Sequence, residues 1–299
     1  MDVSTNRPAR RLRNRCRLRT PPLRRHGRFD KLFVLIAQCG QGRRLRMFSG
    51  MPPPSTAPSG VVESVFHRIV SRRATVREVE AVGDAFRLVT LVGEDLEERR
   101  WRPGDMIQIG FAGLAGRAYT PLSFEPRTGT TTILGYVHGH GIASSWFASA
   151  TTGEQLFLVG PRSALDLEAE ERPMLFFGDE TSFGTAAAIR ATSRGMQEVA
   201  FSFEVDSVEA SRIALERIGV TTGVTLTPRE PREGHLDHIE SKLAEALRTE
   251  PRTRCVFTGK ASSIQRLYKA VRRAGLSTKQ VTNVAYWSPG RKGFSGVQR

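Results

Sequence analysis

The sequence predicts two architectures in succession, an antiparallel β-barrel and then a doubly wound parallel α/β sheet. Three observations carry this. The chain of 299 residues has room for two domains, because single hydrophobic cores usually stop growing at or below that length. From Arg73 to Gly160, short apolar and β-branched runs are broken by Gly, Pro and Asp, the rhythm of a barrel or sandwich. After Pro161 and an acidic connector (Leu165 to Arg172), strands alternate with helices, which implies a parallel sheet. The expected divisions are a basic, Pro-containing tail at 1–60, the barrel at 61–165 and the α/β domain at 172–293.

In the barrel half, Thr75–Val82 and Ala85–Val92 read as strands joined by a hairpin turn at Gly83-Asp84,. Met106–Phe111, Ala118–Phe124, Thr130–Val137 and Gln155–Val159 supply further strands, and the Ala- and Ser-rich stretch Ile142–Ala150 reads as a helix. In the second half, strands are expected at 173–177, 198–205, 224–227, 254–258 and 281–286, with helices at 182–193, 208–218, 236–247 and 262–274. Ligands of such sheets bind outside the carboxyl ends of the strands.

The formal charge of +15 is a property of the tail. Residues 1–50 hold 14 Lys or Arg against 2 acids, whereas the other 249 residues hold 31 bases and 28 acids. The tail reads as a disordered extension or as sequence upstream of a true start at Met47 or Met51, with an arm for nucleic acid or lipid as the other reading. The apolar run Leu32–Ala37 is shorter than a signal core, and no stretch approaches the roughly 20 apolar residues that span a bilayer,. Cys16, Cys39 and Cys255 form no metal or iron–sulfur spacing, so electrons would need an organic cofactor if the protein is a redox protein. Sparing cysteine use fits a reducing cytoplasm. No nucleic-acid partner and no membrane are expected of the folded part, and a monomer is.

Four segments carry chemistry. In Gly116–Phe124, a strand presenting Arg117, Tyr119 and Ser123 on one face, with Thr120 beside them, offers a cation for phosphate and a ring for a planar cofactor,. The same pattern also fits a Tyr buried in the barrel and an Arg on its solvated face. In His138–Trp146, Gly139 and Gly141 let backbone approach a phosphate at the start of a helix,. His138 and His140 have no Cys, Asp or Glu near them in sequence, so no metal site is expected. In Phe177–Thr185, Gly178, Glu180 and Thr181 stand between a strand and a helix N-terminus, with Gly184 in its first turn. This suits a nucleotide pyrophosphate or an ordinary turn capped by Thr181 or Ser182. Finally, Thr227 and Arg229 end the third strand of the sheet; Arg229 would favour the 2′-phosphate of NADPH, whereas Asp206 would favour the free ribose of NADH,. The balance leans to NADPH.

Taken together, the segments resemble the ferredoxin-reductase-like superfamily and, within it, the siderophore-interacting proteins, which are FAD-binding ferric-chelate reductases. Arg117-Ala118-Tyr119-Thr120 resembles the family's RxYT, and His138 to Trp146 its HGxGxASxW turn. Gly160-Pro161 resembles its GP, Gly178-Asp179-Glu180-Thr181 its GDET, Phe203-Glu204-Val205 its second-strand signature and Ala285 to Gly290 its terminal GYWRRG. Two departures stand out. Leu122 replaces the second arginine of RxYTxR, and Ser288-Pro289 replaces the terminal arginine pair, with Arg291 and Lys292 two positions on.

The resemblance implies hydride transfer from NADPH or NADH to a flavin, FAD or FMN, and electrons leaving to a ferric siderophore, another ferric chelate or another acceptor. It implies that Arg117, Tyr119, Thr120, His138, Gly141, Ala143 and Ser144 hold the flavin, through side chain or backbone. Gly178, Glu180, Thr181, Thr227, Arg229 and Gly259 would form the nicotinamide side. Trp287 would cover the flavin or nicotinamide site, or else pack in the core, and Arg291 and Lys292 would meet an anionic acceptor. No acid or base catalyst is required, because hydride transfer to a flavin proceeds by alignment. The alternatives are a non-catalytic flavin or siderophore carrier, and a reductase component that serves a protein partner.

Overall fold

A computed structural model describes residues 72–111, 116–163, 165–167, 172–193, 198–275, 277–290 and 296–298. The basic tail, Arg291 and Lys292 lie outside these described residues.

The first half is a seven-stranded antiparallel sheet. Its strands are β1 (Arg72–Val82), β2 (Phe86–Val92), β3 (Met106–Gly110), β4 (Gly116–Tyr119), β5 (Ser123–Glu125), β6 (Thr130–Tyr136) and β7 (Gln155–Arg162), and helix α1 (Gly141–Ser149) follows β6. Gly83, at φ +58, turns the chain between β1 and β2, whose ends pair Val82 with Phe86, a backbone that Gly adopts without a Cβ penalty.

The order is β4-β3-β7-β1-β2-β6-β5, which corrects one expectation. The segment 118–124 is not a single strand: it breaks at Thr120-Pro121-Leu122, and its halves lie at opposite edges of the sheet. Pro121 has no N–H to give a ladder, and Leu122 N–H donates instead to the Thr132 carbonyl at 2.8 Å. Four residue steps span at most about 14 Å, so the edges stand close and the sheet must curl into a barrel. Ser123 falls on β5, exposed, and shares no strand with Arg117 and Tyr119. Alternate residues of the strands fill the interior, among them Val76, Val89, Leu91, Ile107, Ile109, Ile133 and Leu158. Helix α1 adds Phe147, whose ring lies against Gly135 of β6.

The second half comprises β8 (Met174–Gly178), α2 (Phe183–Thr192), β9 (Val199–Val205), α3 (Val208–Arg217), β10 (Val224–Pro228), α4 (His235–Thr249), β11 (Arg254–Lys260), α5 (Ala261–Arg273), β12 (Val281–Trp287) and β13 (Gly296–Gln298). In the order β10-β9-β8-β11-β12-β13 the first five strands are parallel, while β13 is antiparallel and had no counterpart in the expected elements. The chain enters at β8, moves outward to β10 and returns on the other side at β11. The reversal between β8 and β11 is the topological switch point.

Both faces of the sheet are covered, as parallel strands require. Phe177, Phe257, Leu236, Leu243, Ile264 and Leu267 form the core under α4 and α5. On the other face Phe176, Phe183, Phe201 and Phe203 join Val82, Phe86 and Leu88 of the barrel in one continuous core. Phe86 and Phe183 stack across this seam with ring centroids 5.5 Å apart. Burying each such ring contributes about 1.5–3 kcal/mol. Among the described residues no helix is long and apolar enough to cross a membrane.

A Cβ at Gly135 would collide with the Phe147 ring, which is 1% exposed. Gly135→Ala is expected to lower stability by about 1–3 kcal/mol through overpacking, whereas the double variant Gly135→Ala/Phe147→Leu recovers part of the loss; urea unfolding of the three proteins checks this.

Candidate functional site

At the carboxyl end of β8 the chain makes one 3-10 turn, Glu180–Ser182, before α2 begins. Asp179 caps that turn: its Oδ1 accepts from Thr181 N–H at 2.9 Å and from the Thr181 hydroxyl. Ser182 Oγ accepts from Asp179 N–H at 3.4 Å and from Thr258 Oγ1 at 2.8 Å. Ser182, one of the two caps expected, stands at the N-cap position of α2 but makes no side-chain cap bond there; the side-chain cap comes one turn earlier, from Asp179 at the start of the 3-10 turn. Oδ2 of the same carboxylate accepts from the Trp287 indole N–H at 2.7 Å. Gly259, at φ +97, lies so close to Asp179 that a Cβ would collide with its carboxylate, and a Cβ on Gly178 would collide with Ser182. Asp179 is fully buried, and that burial pushes its carboxyl up against the opposing bonds from Thr181 and Trp287.

Trp287 is half-buried at the end of β12, with the Lys260 ammonium 5.9 Å from its ring centroid. The sequence left open whether this ring covers a site or fills the core. Its edge is fixed by Asp179, and it stands beside the carboxyl ends of β8 and β11, where the switch-point rule places ligands.

A second cluster joins the ends of β8, β9 and β10. Arg229 donates through Nη2 to Glu180 Oε2 at 2.7 Å, and through Nη1 to Glu180 Oε1 at 3.1 Å and Asp206 Oδ1 at 2.5 Å. Asp206 N–H donates to Glu180 Oε1 at 2.6 Å, and the Tyr136 hydroxyl of β6 donates to Asp206 Oδ2 at 2.7 Å. Arg229 and Asp206, opposing signals in the sequence, are therefore partners. Burial raises the Glu180 carboxyl despite the bonds from Arg229. For Asp206 the bonds from Tyr136 and Arg229 outweigh burial and hold the carboxyl below the ordinary range. Thr227 is half-buried on β10, in register with Glu204 of β9.

On the barrel side, Arg117 and Tyr119 lie half-buried on edge strand β4. Arg117 donates to the carbonyl of Gly116 at 2.9 Å and pairs with no carboxylate among the described residues. The Tyr119 ring meets Phe147 edge-on at 5.3 Å, and burial pushes its hydroxyl pKa up. Thr120 Oγ1 bonds Thr185 Oγ1 at 3.0 Å, which in turn bonds the Tyr286 hydroxyl at 2.7 Å. A Cβ on Gly184 would press on the Thr120 carbonyl. Strand β4 thus ends directly against the first turn of α2.

The glycine turn before α1 is shaped from within. Ser144, only 2% exposed, accepts from His138 N–H at 2.9 Å and Gly139 N–H at 3.1 Å. Both acceptor positions of its hydroxyl are committed to the turn, which leaves its O–H donor and its backbone for a ligand,. Gly139 and Gly141, at φ +80 and +79, have open space where a Cβ would stand. Neither His140 nor any other side chain caps α1, whose first turn holds Gly141 and Ala143. His138 is exposed, its ring 6.2 Å from that of His140; partial burial, then His140, lower its pKa.

Sequence reasoning quoted Glu204 and Tyr286 within motifs without giving either a role, and did not single out Tyr136, Thr185, His235 or Ser263. His235 Nδ1 accepts from Glu230 N–H at 3.1 Å, so its ring proton sits on Nε2, 2.8 Å from Glu204 Oε2. Ser263 Oγ donates to Glu204 Oε1 at 2.8 Å. This set pins the loop after β10. A glutamate at a strand position flanked by Phe203 and Val205 was the available signal, since a buried carboxylate needs partners.

Asp179→Ala is expected to lower stability by at least the 0.5–2 kcal/mol or so of a lost cap and to shift Trp287 emission, whereas Asp179→Asn, which keeps an acceptor, loses less; denaturant unfolding followed by fluorescence measures both. Burial raises the Tyr286 hydroxyl to about 12. Its contribution is therefore complete below the unfolded value near 10 and is lost as pH rises from about 10 towards 12. The stability of Tyr286→Phe should fall less steeply than that of the parent over that interval.

Residues 112–165 match the family model of the siderophore-interacting FAD-binding domain. A search of curated proteins finds no match. Among solved structures, a siderophore utilization protein from T. fusca aligns with TM-score 0.60 at 20% identity, covering 75% of this chain and 95% of that one. The siderophore-interacting protein SipS from Aeromonas hydrophila aligns with TM-score 0.59 at 21% identity, covering 75% and 93%. The ferredoxin reductase in carbazole 1,9a-dioxygenase aligns with TM-score 0.59 at 19% identity, covering 73% and 69%. At these identities the alignments speak for the fold alone. The resemblance read from the motifs thus stands: residues 112–165 match the siderophore-interacting FAD-binding domain, on a chain with the ferredoxin-reductase-like fold.

Proposed function

We propose that the chain is a flavin-dependent oxidoreductase that passes hydride from NADH or NADPH to FAD and electrons onward to a ferric siderophore or another ferric chelate. The observation that carries this reading is the hydrogen-bonded chain Thr120–Thr185–Tyr286. It joins the end of the Arg117–Thr120 strand to the helix that follows the Gly178–Thr181 turn. The strand assigned to the flavin and the turn assigned to the nucleotide therefore meet where a hydride would cross.

The residues present fit FAD. The unfilled Cβ space at Gly139 and Gly141, the uncapped start of α1 and the guanidinium of Arg117 offer donors to a pyrophosphate,. Arg117, Tyr119, Thr120, His138, Gly141, Ala143 and Ser144 would hold it. When bound, the flavin supplies the exchange between a two-electron donor and a one-electron acceptor. The protein's part is alignment. The barrel–sheet seam holds the two binding surfaces in register, and Trp287, steadied by Asp179, shields the meeting point from water. Gly178 and Gly259 through their backbone, and Thr181, exposed at the start of the turn, would meet the nucleotide, with Thr227 alongside. Arg291 and Lys292 are proposed to meet the anionic chelate. The sparing use of cysteine supports work in a reducing cytoplasm.

The full chain should purify yellow or take up FAD, and its flavin absorbance should bleach anaerobically with NADH or NADPH and return on adding a ferric chelate. Arg117→Ala should weaken FAD retention at least tenfold. A protein that cannot be reconstituted with FAD refutes the reading, and a yellow one that neither nucleotide reduces is a carrier.

A further inference from the structure

In doubly wound sheets the residue after the second strand sorts the two nicotinamide nucleotides. A carboxylate there takes the 2′-hydroxyl of NADH, whereas a nearby Arg accommodates the 2′-phosphate of NADPH. This chain has both residue types: Asp206 directly after β9, the neighbour of β8, and Arg229 directly after β10.

The geometry orders them. Both terminal nitrogens of Arg229 already donate to carboxylates, and its side chain is 19% exposed. The Glu180 side chain is only 2% exposed. If Arg229 turned away to meet a phosphate, it would leave that buried carboxylate without its cation, a costly state. The exposed member is Asp206, at 55%. Its Oδ1 is held by Arg229 and its Oδ2 by Tyr136, so a preset carboxylate faces outward. Each oxygen retains a second acceptor position for a hydroxyl donor. A 2′-phosphate would meet like charge at Asp206 and could reach Arg229 only through the remaining Nη2 hydrogen, because Nη1 makes two bonds and Nε is buried,.

We propose that Asp206 selects NADH over NADPH, with Glu180 as the positioning residue that keeps Arg229 from serving a 2′-phosphate. The proposal rests on the nicotinamide reading above and reverses the preference for NADPH that Arg229 suggested in the sequence.

The test uses the full chain and a readout other than turnover. Transfer of tryptophan emission to the reduced nicotinamide gives dissociation constants for NADH and NADPH, and anaerobic flavin reduction gives the second-order reduction rate constant for each. NADH should bind at least tenfold more tightly and lead in that rate constant. Asp206→Asn keeps the shape and an acceptor but removes the charge. It should cut the discrimination by tenfold or more, mainly by improving NADPH binding. Glu180→Gln should move the ratio in the same direction by loosening Arg229, whereas a merely structural role would weaken both nucleotides alike. Equal affinities, or tighter NADPH binding, in the unaltered chain overturn this inference and leave the nicotinamide reading intact. Failure to bind either nucleotide overturns both, and the measurement on the unaltered chain decides even if a variant does not fold.

Discussion

The buried carboxylate of Asp179 is the constraint on which the nucleotide half of the molecule depends. An unpaired carboxylate away from water is expensive, so its surroundings must supply donors. They come from separate strand ends: Thr181 beyond β8 and the Trp287 indole at the end of β12. The end of β11 must approach without a side chain, at Gly259. A single acidic group thereby fixes the relative positions of three strand termini at the switch point. It also dictates which residue types stand there.

The seam between barrel and sheet is of a different physical kind. Phe86, Phe183 and Phe203 bury apolar surface there without directional demand, while Thr120, Thr185 and Tyr286 add direction at one end. Arg217 and Glu80 add an exposed two-pronged ion pair between α3 and β1, with both bonds at 2.7 Å; exposed pairs of this sort contribute little. Packing supplies the adhesion, and the hydroxyl chain sets the register of β4 against α2.

Much of the fold was legible because it follows from local pattern. The β-type runs of the first half and the strand–helix alternation of the second lie within a few residues of the observed elements. Pro121 shows where pattern reading failed: apolar alternation continues through 118–124, but a missing N–H breaks the ladder and sends the two halves to opposite edges. The candidate site was legible where it rests on turn chemistry, as at Gly139, Gly141 and Gly178. It was not legible where residues distant in sequence pair with one another. Nothing near Arg229 announces that Glu180, 49 positions earlier, neutralises it. Nothing near Asp179 announces Trp287, 108 positions later.

The short strand β13 runs against the direction of its neighbours and pairs with β12 through Asn283, Val284 and Ala285. A parallel sheet that ended at β12 would present a row of open amides and carbonyls to any extended chain nearby, the usual seed of strand-to-strand association. The chain's own later segment fills that row. It stands next to the strand that carries Tyr286 and Trp287 into the site. The edge of that strand is therefore satisfied from within the chain, and three residues of backbone, Gly296–Gln298, take the outer position in its place.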